Sequence, residues 1–358
     1  MATFTDLQER NRRKTRVIVV CFVLFFIWLG AGLDLARYYW SGGNTRFIQH
    51  YYGLFFRSHP QVTTGAGPVH QEKHFQPLFT LLVGVAGIGI AWWSLSNASE
   101  NVLTAMCARR ADKKISGEEQ MLINVVEEMC IAASMRPPRV WIIPDPDPNA
   151  LAVGLKEGDY HVAVTEGLLR VLNRDEMQGV IAHELAHLKN QDTRLMTALT
   201  VLVGLAALIS EFVSRNRYCS VEVRGGNDDD NKLGGLIFGL WFFTVLLAPL
   251  ATQLMAMLVS REREYLADAS SAQFTRNPEA LAAALDKISS AVGPTSLVKP
   301  ASAHLCIASP TAADLSYDCE SDWFATHPPI KSRIHRLNSI GANWKAKAAR
   351  ESAAAGRA

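Results

Sequence analysis

Four long apolar runs divide the chain and set its overall organisation. They cover residues 17–33, 77–99, 195–210 and 233–260. A helix needs about 20 apolar residues to cross a hydrocarbon core about 30 Å thick. The first two runs therefore predict membrane spans, the third is marginal in length, and the fourth is long enough to span. The pattern indicates an integral membrane protein.

Between these runs, shorter patterns predict a region with both helices and strands. Two segments match the capping box that begins a helix: Ser116 with Glu119, and Asn173 with Glu176. Stretches rich in β-branched and apolar residues predict strands at 140–143, 150–154 and 160–165. Further helices are predicted at 166–172 and from Asn277 to Gly293. The predicted fold class is α+β, mostly helical, with transmembrane helices and a small β-sheet.

The charge distribution predicts how the chain is oriented in the membrane. Five basic residues precede the first apolar run: Arg10, Arg12, Arg13, Lys14 and Arg16. Such residues favour the cytoplasmic side, which should therefore hold the N-terminus. The run ends at Asp34 without a small-residue cleavage site, which indicates an anchor that is retained. Two spans then return the chain to the cytoplasm near residue 100, and two more crossings would do so again near residue 260.

Composition narrows the possible functions. The 358 residues carry a net charge of +2, which gives no reason to expect nucleic-acid binding. The six cysteines contain no C-x-x-C pair, so neither a disulfide framework nor a thiolate metal site is predicted. Four histidines between residues 34 and 76 are irregularly spaced, which favours solvated or packing roles over metal binding: His50, His59, His70 and His74.

The most informative motif is the pentad H-E-L-A-H at residues 183–187. In the predicted helix, His183 and His187 lie one turn apart on the same face, where both imidazoles can bind one metal ion. Glu184 would lie beside that ion, placed to accept a proton from water. This H-E-x-x-H arrangement is typical of zinc peptidases. The alternative is a histidine pair that caps or packs a helix near the membrane.

A catalytic zinc site requires a third protein ligand. No further histidine follows closely, so that ligand should come from another helix as a carboxylate. Glu264 and Asp268 share one helical face in the run S-R-E-R-E-Y-L-A-D at 260–268. Glu264 could bind the metal, and Asp268 could hydrogen-bond a ligand histidine and hold its tautomer. Alternatively, the run is an ordinary charged beginning of a helix.

One predicted strand suggests how a peptide would bind. An extended peptide can add to an exposed edge strand through backbone hydrogen bonds. The candidate edge contains Asn149, Ala150, Leu151 and Ala152, followed by Val153 and Gly154. A structural hairpin without a binding role is the alternative.

These motifs together resemble the HtpX-type membrane zinc metalloproteases, whose wider family includes the CAAX-prenyl endopeptidases. The resemblance covers residues 136–337 and rests on four motifs in order: N-A-L-A-V-G at 149–154, the pentad, the run at 260–269, and T-H-P-P at 326–329 with Arg333 downstream. It implies a zincin-like (gluzincin) catalytic domain that binds one Zn²⁺ per chain. The loop at 34–76 is longer than the resemblance implies.

The resemblance also implies roles for individual residues. Glu264 is the implied third zinc ligand, and Asp268 is implied to support a ligand from behind. His327 and Arg333 would lie near the active site and stabilise the oxyanion. Asp192 falls where the family places an acid that braces the metal helix. His327 as a helix-entry residue and Arg333 as a surface charge are the alternatives.

The predicted organisation follows from these assignments. Residues 1–99 form a membrane region with two transmembrane helices and a long extracytoplasmic loop. Residues 100–194 and 261–343 form two parts of a catalytic domain, separated by two transmembrane or membrane-associated helices at 195–260. The Ala-, Lys- and Arg-rich segment 344–358 is predicted to be a disordered tail.

The expected function is endoproteolysis of misfolded or damaged membrane proteins at the cytoplasmic face of a bacterial inner membrane. The expected partners are polypeptide substrates and the lipid bilayer. One alternative is a processing protease for a specific membrane or lipidated substrate. A second is a non-catalytic, zinc-stabilised membrane scaffold, against which the presence of Glu184 argues. A transporter is a third, although no apolar run carries an isolated acid–base pair.

Overall fold

A computed structural model describes residues 4–40, 77–201, 239–241, 243–244, 261–290, 305–307 and 328–355. These residues fall into two compact units. The first contains the described residues within 1–18, 94–204 and 252–358, and the second contains those within 19–93 and 205–251. The first unit thus joins the N-terminal end of the chain to both parts of the predicted catalytic domain.

The described residues are mostly helical, with one small sheet. The helices are α1 (Phe4–Trp40), α2 (Leu78–Ser96), α3 (Ala98–Ala105), α4 (Gly117–Ala133), α5 (Glu166–Val171), α6 (Arg174–Lys189), α7 (described over 192–201), α8 (Arg261–Thr275), α9 (Pro278–Ser289) and α10 (Ile330–Ala355). The strands are β1 (Arg109–Arg110), β2 (Arg139–Ile143), β3 (Ala150–Val153) and β4 (His161–Thr165).

The predicted helix starts in the first unit are confirmed. At α6, the Asn173 side chain accepts a hydrogen bond from the Glu176 backbone, and the Glu176 side chain accepts one from the Asn173 backbone. The Ser116 side chain caps α4 by accepting from the Glu119 backbone, but the Glu119 carboxylate accepts from Arg109 and does not complete the predicted capping box. Each capping bond satisfies a backbone N–H that has no partner within its own helix. The Gly293 end predicted for α9 lies outside the described residues, and α9 ends at Ser289.

The sheet has the order β1-β2-β4-β3, and its three longer strands are those predicted. β3 and β4 pair antiparallel, whereas β2 and β4 pair parallel. Every residue of β3 and β4 is buried. Both faces of the sheet are therefore covered, which explains why these strands lack an alternating polar pattern.

Each face of the sheet packs against its own group of helices. On one face, Ile142, Ala152 and Val162 share a core with side chains of α4, α6 and α9. On the other, Ile143, Leu151 and Ala163 pack against side chains of α3 and α7. The sheet is thus the middle layer of the first unit, and α6 lies directly against β3.

Two described helices are long and apolar enough to cross a membrane, over Glu9–Leu35 and Leu78–Ser96. The predicted spans at 17–33 and 77–99 fall on them. In the second unit, the buried carboxylate of Asp34 accepts hydrogen bonds from the backbone N–H groups of Phe79 and Thr80. Asp34 therefore caps the beginning of α2. Most of the third and fourth apolar runs lies outside the described residues.

The C-terminal segment differs from the prediction of a disordered tail. α10 continues beyond Trp344 as far as Ala355. Ala, Lys, Arg and Glu, which are frequent here, are all strong helix formers. The Lys345 ammonium also pairs with the Glu279 carboxylate of α9 at 2.6 Å. The composition that suggested a disordered tail is therefore that of an exposed helix as far as Ala355.

Gly179 allows α6 to approach its neighbours closely. A Cβ atom at this position would lie 2.9 Å from the backbone of Leu281 in α9, and the Gly179 carbonyl accepts a 2.8 Å hydrogen bond from the Ser271 hydroxyl. We expect Gly179→Ala to lower the free energy of unfolding by about 1–3 kcal/mol, because the helices must separate. Denaturant unfolding of the detergent-solubilised protein measures this change.

Gly117→Ala is the matched control, because a Cβ at Gly117 would meet no atom within 4 Å. Its unfolding free energy should stay within about 0.5 kcal/mol of the parent value, as is usual at exposed sites. Equal stability of both variants would show that α6 and α9 do not depend on this close approach.

Candidate metal centre

Helix α6 presents the two pentad histidines side by side. Their apolar neighbours Val180, Ile181 and Leu185 are fully buried in the core, which fixes the rotation of the helix. His183 and His187 then point away from that core, and their Nε2 atoms lie 3.2 Å apart. His183 is almost completely buried, and His187 retains 15% side-chain exposure.

Helix α8 brings a carboxylate to the same two nitrogen atoms. Glu264 Oε2 lies 3.7 Å from His183 Nε2, and Glu264 Oε1 lies 3.5 Å from His187 Nε2. One donor atom from each of the three residues lies within 4.8 Å of the other two. Two imidazoles and a carboxylate that converge in this way could hold a metal ion.

Asp268 and Arg333 lie against the His183 ring and bind each other. Asp268 Oδ1 lies 3.0 Å from His183 Nδ1, which leaves Nε2 directed towards Glu264. The fully buried Arg333 guanidinium donates to both oxygens of Asp268, at 2.9 and 2.7 Å. Burial would raise the pKa of Asp268, but Arg333 and His183 lower it to about 2. Asp268 is therefore an anion held between a guanidinium and an imidazole.

His187 has its own supporting acid. Asp192 Oδ2 lies 3.4 Å from His187 Nδ1, and Arg263 Nη1 lies 3.7 Å from Asp192 Oδ1. Asn11 of α1 donates from Nδ2 to Asp192 Oδ1 at 2.6 Å. Both histidines therefore have a buried carboxylate at Nδ1, the arrangement that orients imidazole ligands in metal sites.

Glu184 is buried beside the paired histidines. Its residue is only 2% exposed, and this burial raises the pKa of its carboxyl above the ordinary range. The positive charge of His183 and His187 opposes that rise. A carboxyl with a raised pKa can accept and return a proton more readily near neutral pH.

The side chains around the two histidines carry an excess of negative charge that a divalent cation could balance. Four carboxylates lie here, from Glu184, Asp192, Glu264 and Asp268, and two guanidinium groups, from Arg263 and Arg333, lie against them. With neutral imidazoles, two negative charges remain in excess. Buried charge of one sign is unstable unless it is compensated. A divalent metal ion at the three donors would supply that compensation.

A small cavity of about 20 Å³ opens beside the donors. Its wall includes Glu184, Thr193 and Met196, and also the segment Leu305, Cys306 and Ile307. Burial raises the pKa of the Cys306 thiol, which keeps it in the neutral form.

The predicted substrate strand lies next to this cavity, and part of its outer edge is paired. Ala152 lines the cavity. Leu151 forms an antiparallel bridge with Cys306, and the Ala150 carbonyl accepts a 2.9 Å hydrogen bond from the Ile307 backbone. Asn149 is buried, and its side-chain oxygen accepts from the Ala150 backbone. A chain segment thus already extends the sheet beyond β3.

Comparison with known proteins agrees with this geometry. The profile of peptidase family M48 matches residues 116–340, which is more than half of the chain. The chain is 39% identical over 351 residues to a protease HtpX homolog of Dictyoglomus turgidum, covering 96% of this chain and 97% of that protein. It is 35% identical over 338 residues to one of Lactobacillus helveticus, with 92% and 98% covered.

The chain belongs to peptidase family M48. The recognition of an HtpX-type protein from four short motifs is confirmed. A solved structure of S. mikatae Ste24p aligns with 73% of this chain and 58% of its own, at a TM-score of 0.43 and 18% identity. This M48 protein is a metal-dependent, membrane-bound protease whose substrates are polypeptides.

Several neighbours of the M48 site were missed by sequence analysis. Arg263 lies within the recognised run at 260–268 but was given no role. The segment 305–307 carries no motif, and its pairing with β3 forms across about 155 positions of the chain. Asn11 is one polar residue in a basic segment, and no local pattern distinguishes it. His327 lies outside the described residues.

The ionisation of His183 predicts the pH dependence of metal binding. Burial alone would lower its pKa, but Asp268 and Glu264 raise the pKa to about 9. Below pH 9 the imidazole of the metal-free protein is protonated, and it must lose that proton before it can bind an ion. We therefore expect metal affinity to fall about tenfold per pH unit as the pH is lowered from 8 to 6.

Competition with a chromophoric chelator at fixed ionic strength measures this affinity. Calorimetry in buffers of different ionisation enthalpy counts the released protons directly, and close to one proton per ion is expected from His183 near pH 8. An affinity that does not change between pH 8 and 6 would contradict the raised pKa.

Proposed function

We propose that this M48 protease is a zinc endopeptidase that acts on membrane proteins from the cytoplasmic side. The observation that carries the proposal is the convergence of His183, His187 and Glu264 beside the buried carboxyl of Glu184. A purely structural metal site has no use for a buried base at this position. The scaffold alternative is therefore disfavoured.

Zinc suits the donor set and its spacing. Zn²⁺ prefers tetrahedral sites, with bonds of about 2.0–2.1 Å to imidazole nitrogen and about 2.0–2.2 Å to carboxylate oxygen. Two donors at such distances from one tetrahedral ion are separated by about 3.4 Å. The two Nε2 atoms are 3.2 Å apart, which is close to that value. Each Nε2 atom has a different Glu264 oxygen nearest to it, at 3.7 and 3.5 Å, and with one donor atom per residue the three donors lie within 4.8 Å of one another. One Zn²⁺ per chain, with Glu264 as third ligand in gluzincin fashion, is the proposed cofactor.

The acids behind the ligands are proposed to fix their tautomers. Asp268 at Nδ1 of His183 and Asp192 at Nδ1 of His187 each favour a proton on Nδ1. Nε2 of both rings is then an unprotonated donor that can bind the ion.

Glu184 is the proposed general base and acid. When bound, Zn²⁺ supplies Lewis acidity that polarises the scissile carbonyl and lowers the pKa of water towards about 7. Glu184 accepts a proton from the water that attacks the carbonyl carbon. It then donates that proton to the nitrogen of the departing amine, so that both products leave neutral at the reacting atoms.

His327 and Arg333 remain the proposed stabilisers of the oxyanion. Arg333 Nη2 lies 3.3 Å from His183 Nε2, which places a guanidinium near the metal. Its other contacts are with Asp268, with Glu264, whose Oε2 lies 3.6 Å from Nη1, and with the Ile307 carbonyl, which accepts from Nη1 at 3.1 Å. These contacts support an additional positioning role, in which Arg333 holds Asp268 against His183.

Residues 149–152 are the proposed substrate strand. The cavity beside Ala152 supports a peptide backbone that passes the metal along this edge. Because Cys306 and Ile307 pair with β3, an incoming peptide must take their place at Leu151 and Ala150 or pair beyond them. Such competition would favour extended, unfolded segments over folded ones.

The cytoplasmic orientation rests on charge and on a contact. The basic residues before the first apolar run favour the cytoplasm. Asn11 lies among them and contacts Asp192 of the metal centre, so both must lie on the same side of the membrane. The proposed location is therefore a bacterial inner membrane with the site facing the cytoplasm.

Misfolded or damaged membrane proteins are the proposed substrates, as the HtpX resemblance implies. Processing of one specific membrane or lipidated substrate is the alternative. Cleavage of an unfolded model protein, such as casein, by purified enzyme in detergent separates the two. Casein cleavage at many sites would favour quality control. Cleavage of a single native partner, with casein intact, would favour processing.

Glu184→Gln should abolish cleavage without loss of zinc. The amide preserves the size of the side chain but cannot accept a proton, so the rate should fall by at least about a hundredfold. Cleavage of casein and zinc content are measured on the same preparations. His183→Ala and Glu264→Ala are the matched controls, because each should lose both zinc and activity. A Glu184→Gln enzyme with the parent rate would refute the role of the base.

A further inference from the structure

The N-terminal helix contacts the turn that follows the metal helix. α6 ends at Lys189, and Gln191 adopts a left-handed backbone with φ of 57°, which turns the chain into α7. Asn11 and Arg12 of α1 bind three successive residues of this turn. Asn11 donates to the Asn190 carbonyl at 3.3 Å and to Asp192, and Arg12 donates to the Gln191 side chain at 2.8 Å.

The contact between Asn11 and Asp192 is buried and short. Asn11 is only 5% exposed and Asp192 only 3%, and 2.6 Å separates donor and acceptor. A buried carboxylate depends strongly on each donor that it has. The two ion-pair partners of Asp192, His187 at 3.4 Å and Arg263 at 3.7 Å, are farther away.

We propose that Asn11 is a positioning residue of the metal centre, which holds Asp192 so that Asp192 orients His187. This inference rests on the proposed metal site and extends it to the helix that anchors the chain. An amide is well suited to the task because its nitrogen carries two hydrogens. One reaches the Asp192 carboxylate, and the other reaches the Asn190 carbonyl at the end of the metal helix.

The consequence is that metal affinity depends on a segment far from the pentad in sequence. Asn11 and Asp192 are separated by 181 positions. Any change that moves the beginning of α1 would alter the position of His187. The membrane anchor and the catalytic metal would then be energetically coupled.

The test compares the zinc affinity of four full-length variants in detergent, by chelator competition. Asn11→Asp keeps the shape but removes both donors and opposes two carboxylates, so we expect a loss of about tenfold or more. Asn11→Ala should lower the zinc affinity about three- to tenfold.

Arg12→Ala is the matched control, because Arg12 contacts only the exposed side of the turn, and its zinc affinity should change less than about twofold. Asp192→Ala should lose at least as much as Asn11→Ala.

A double substitution separates positioning from general destabilisation. If Asn11 acts through Asp192, adding Asn11→Ala to Asp192→Ala should cause no further loss of affinity. The visible spectrum of the Co²⁺-substituted protein should change in Asn11→Ala and not in Arg12→Ala, because it reports the ligand geometry. Thermal unfolding of the metal-free variants identifies any that fail to fold.

The outcomes are distinct. Additive losses in the double variant, or equal affinities of Asn11→Ala and Arg12→Ala, would overturn the positioning role while leaving the zinc site intact. A parent protein that binds no zinc would instead overturn the proposed function itself.

Discussion

The ion pair between Asp268 and Arg333 is the interaction on which the metal centre depends. Both groups are buried, and the guanidinium meets the carboxylate through two hydrogen bonds. A buried charge without a partner destabilises the fold by several kcal/mol, so removal of either residue would leave the other as an uncompensated charge. The pair holds the Asp268 carboxylate next to Nδ1 of His183. The same guanidinium also binds the Ile307 carbonyl, which links the metal centre to the segment beside β3.

Three helices distant in sequence must meet for this arrangement to exist. α6 supplies the histidines, α8 supplies Glu264 and Asp268, and α10 supplies Arg333. Close packing of α6 on its neighbours, which the small Gly179 permits, determines the distance between the donor atoms. The packing of the apolar core therefore also sets the positions of the polar side chains in the site. A shift of any helix by about 1 Å would take a donor out of bonding range of an ion.

The site is arranged as two similar halves around the two histidines. His183 has Asp268, which Arg333 holds, and His187 has Asp192, which Asn11 holds. Each proposed ligand thus has an acid near its Nδ1 atom, and each acid accepts a hydrogen bond from another part of the chain. Protons, such as the one on His183 of the metal-free protein, or a bound cation must compensate the excess negative charge that results. This relation connects folding of the catalytic unit to occupancy of its metal site.

Local sequence determined the elements and the chemistry. The N-cap side chains of Ser116 and Asn173 set where helices begin, because a side chain three residues from its partner needs no tertiary contact to form that bond. The spacing of His183 and His187 follows from the helical repeat alone. The two apolar runs at 17–33 and 77–99 were recognisable because a membrane span is a property of composition and length.

Tertiary structure decided what surrounds those residues. The contact of Asn11 with Asp192, the depth of Arg333 and the pairing of Cys306 with Leu151 all join positions far apart in the chain. No local pattern encodes such contacts, because they arise from the way that helices and sheet pack. The C-terminal segment shows that composition alone is also ambiguous, because its residues were compatible with both a helix and a disordered tail. Sequence thus specified the reacting groups, and packing specified the partners that hold them in place.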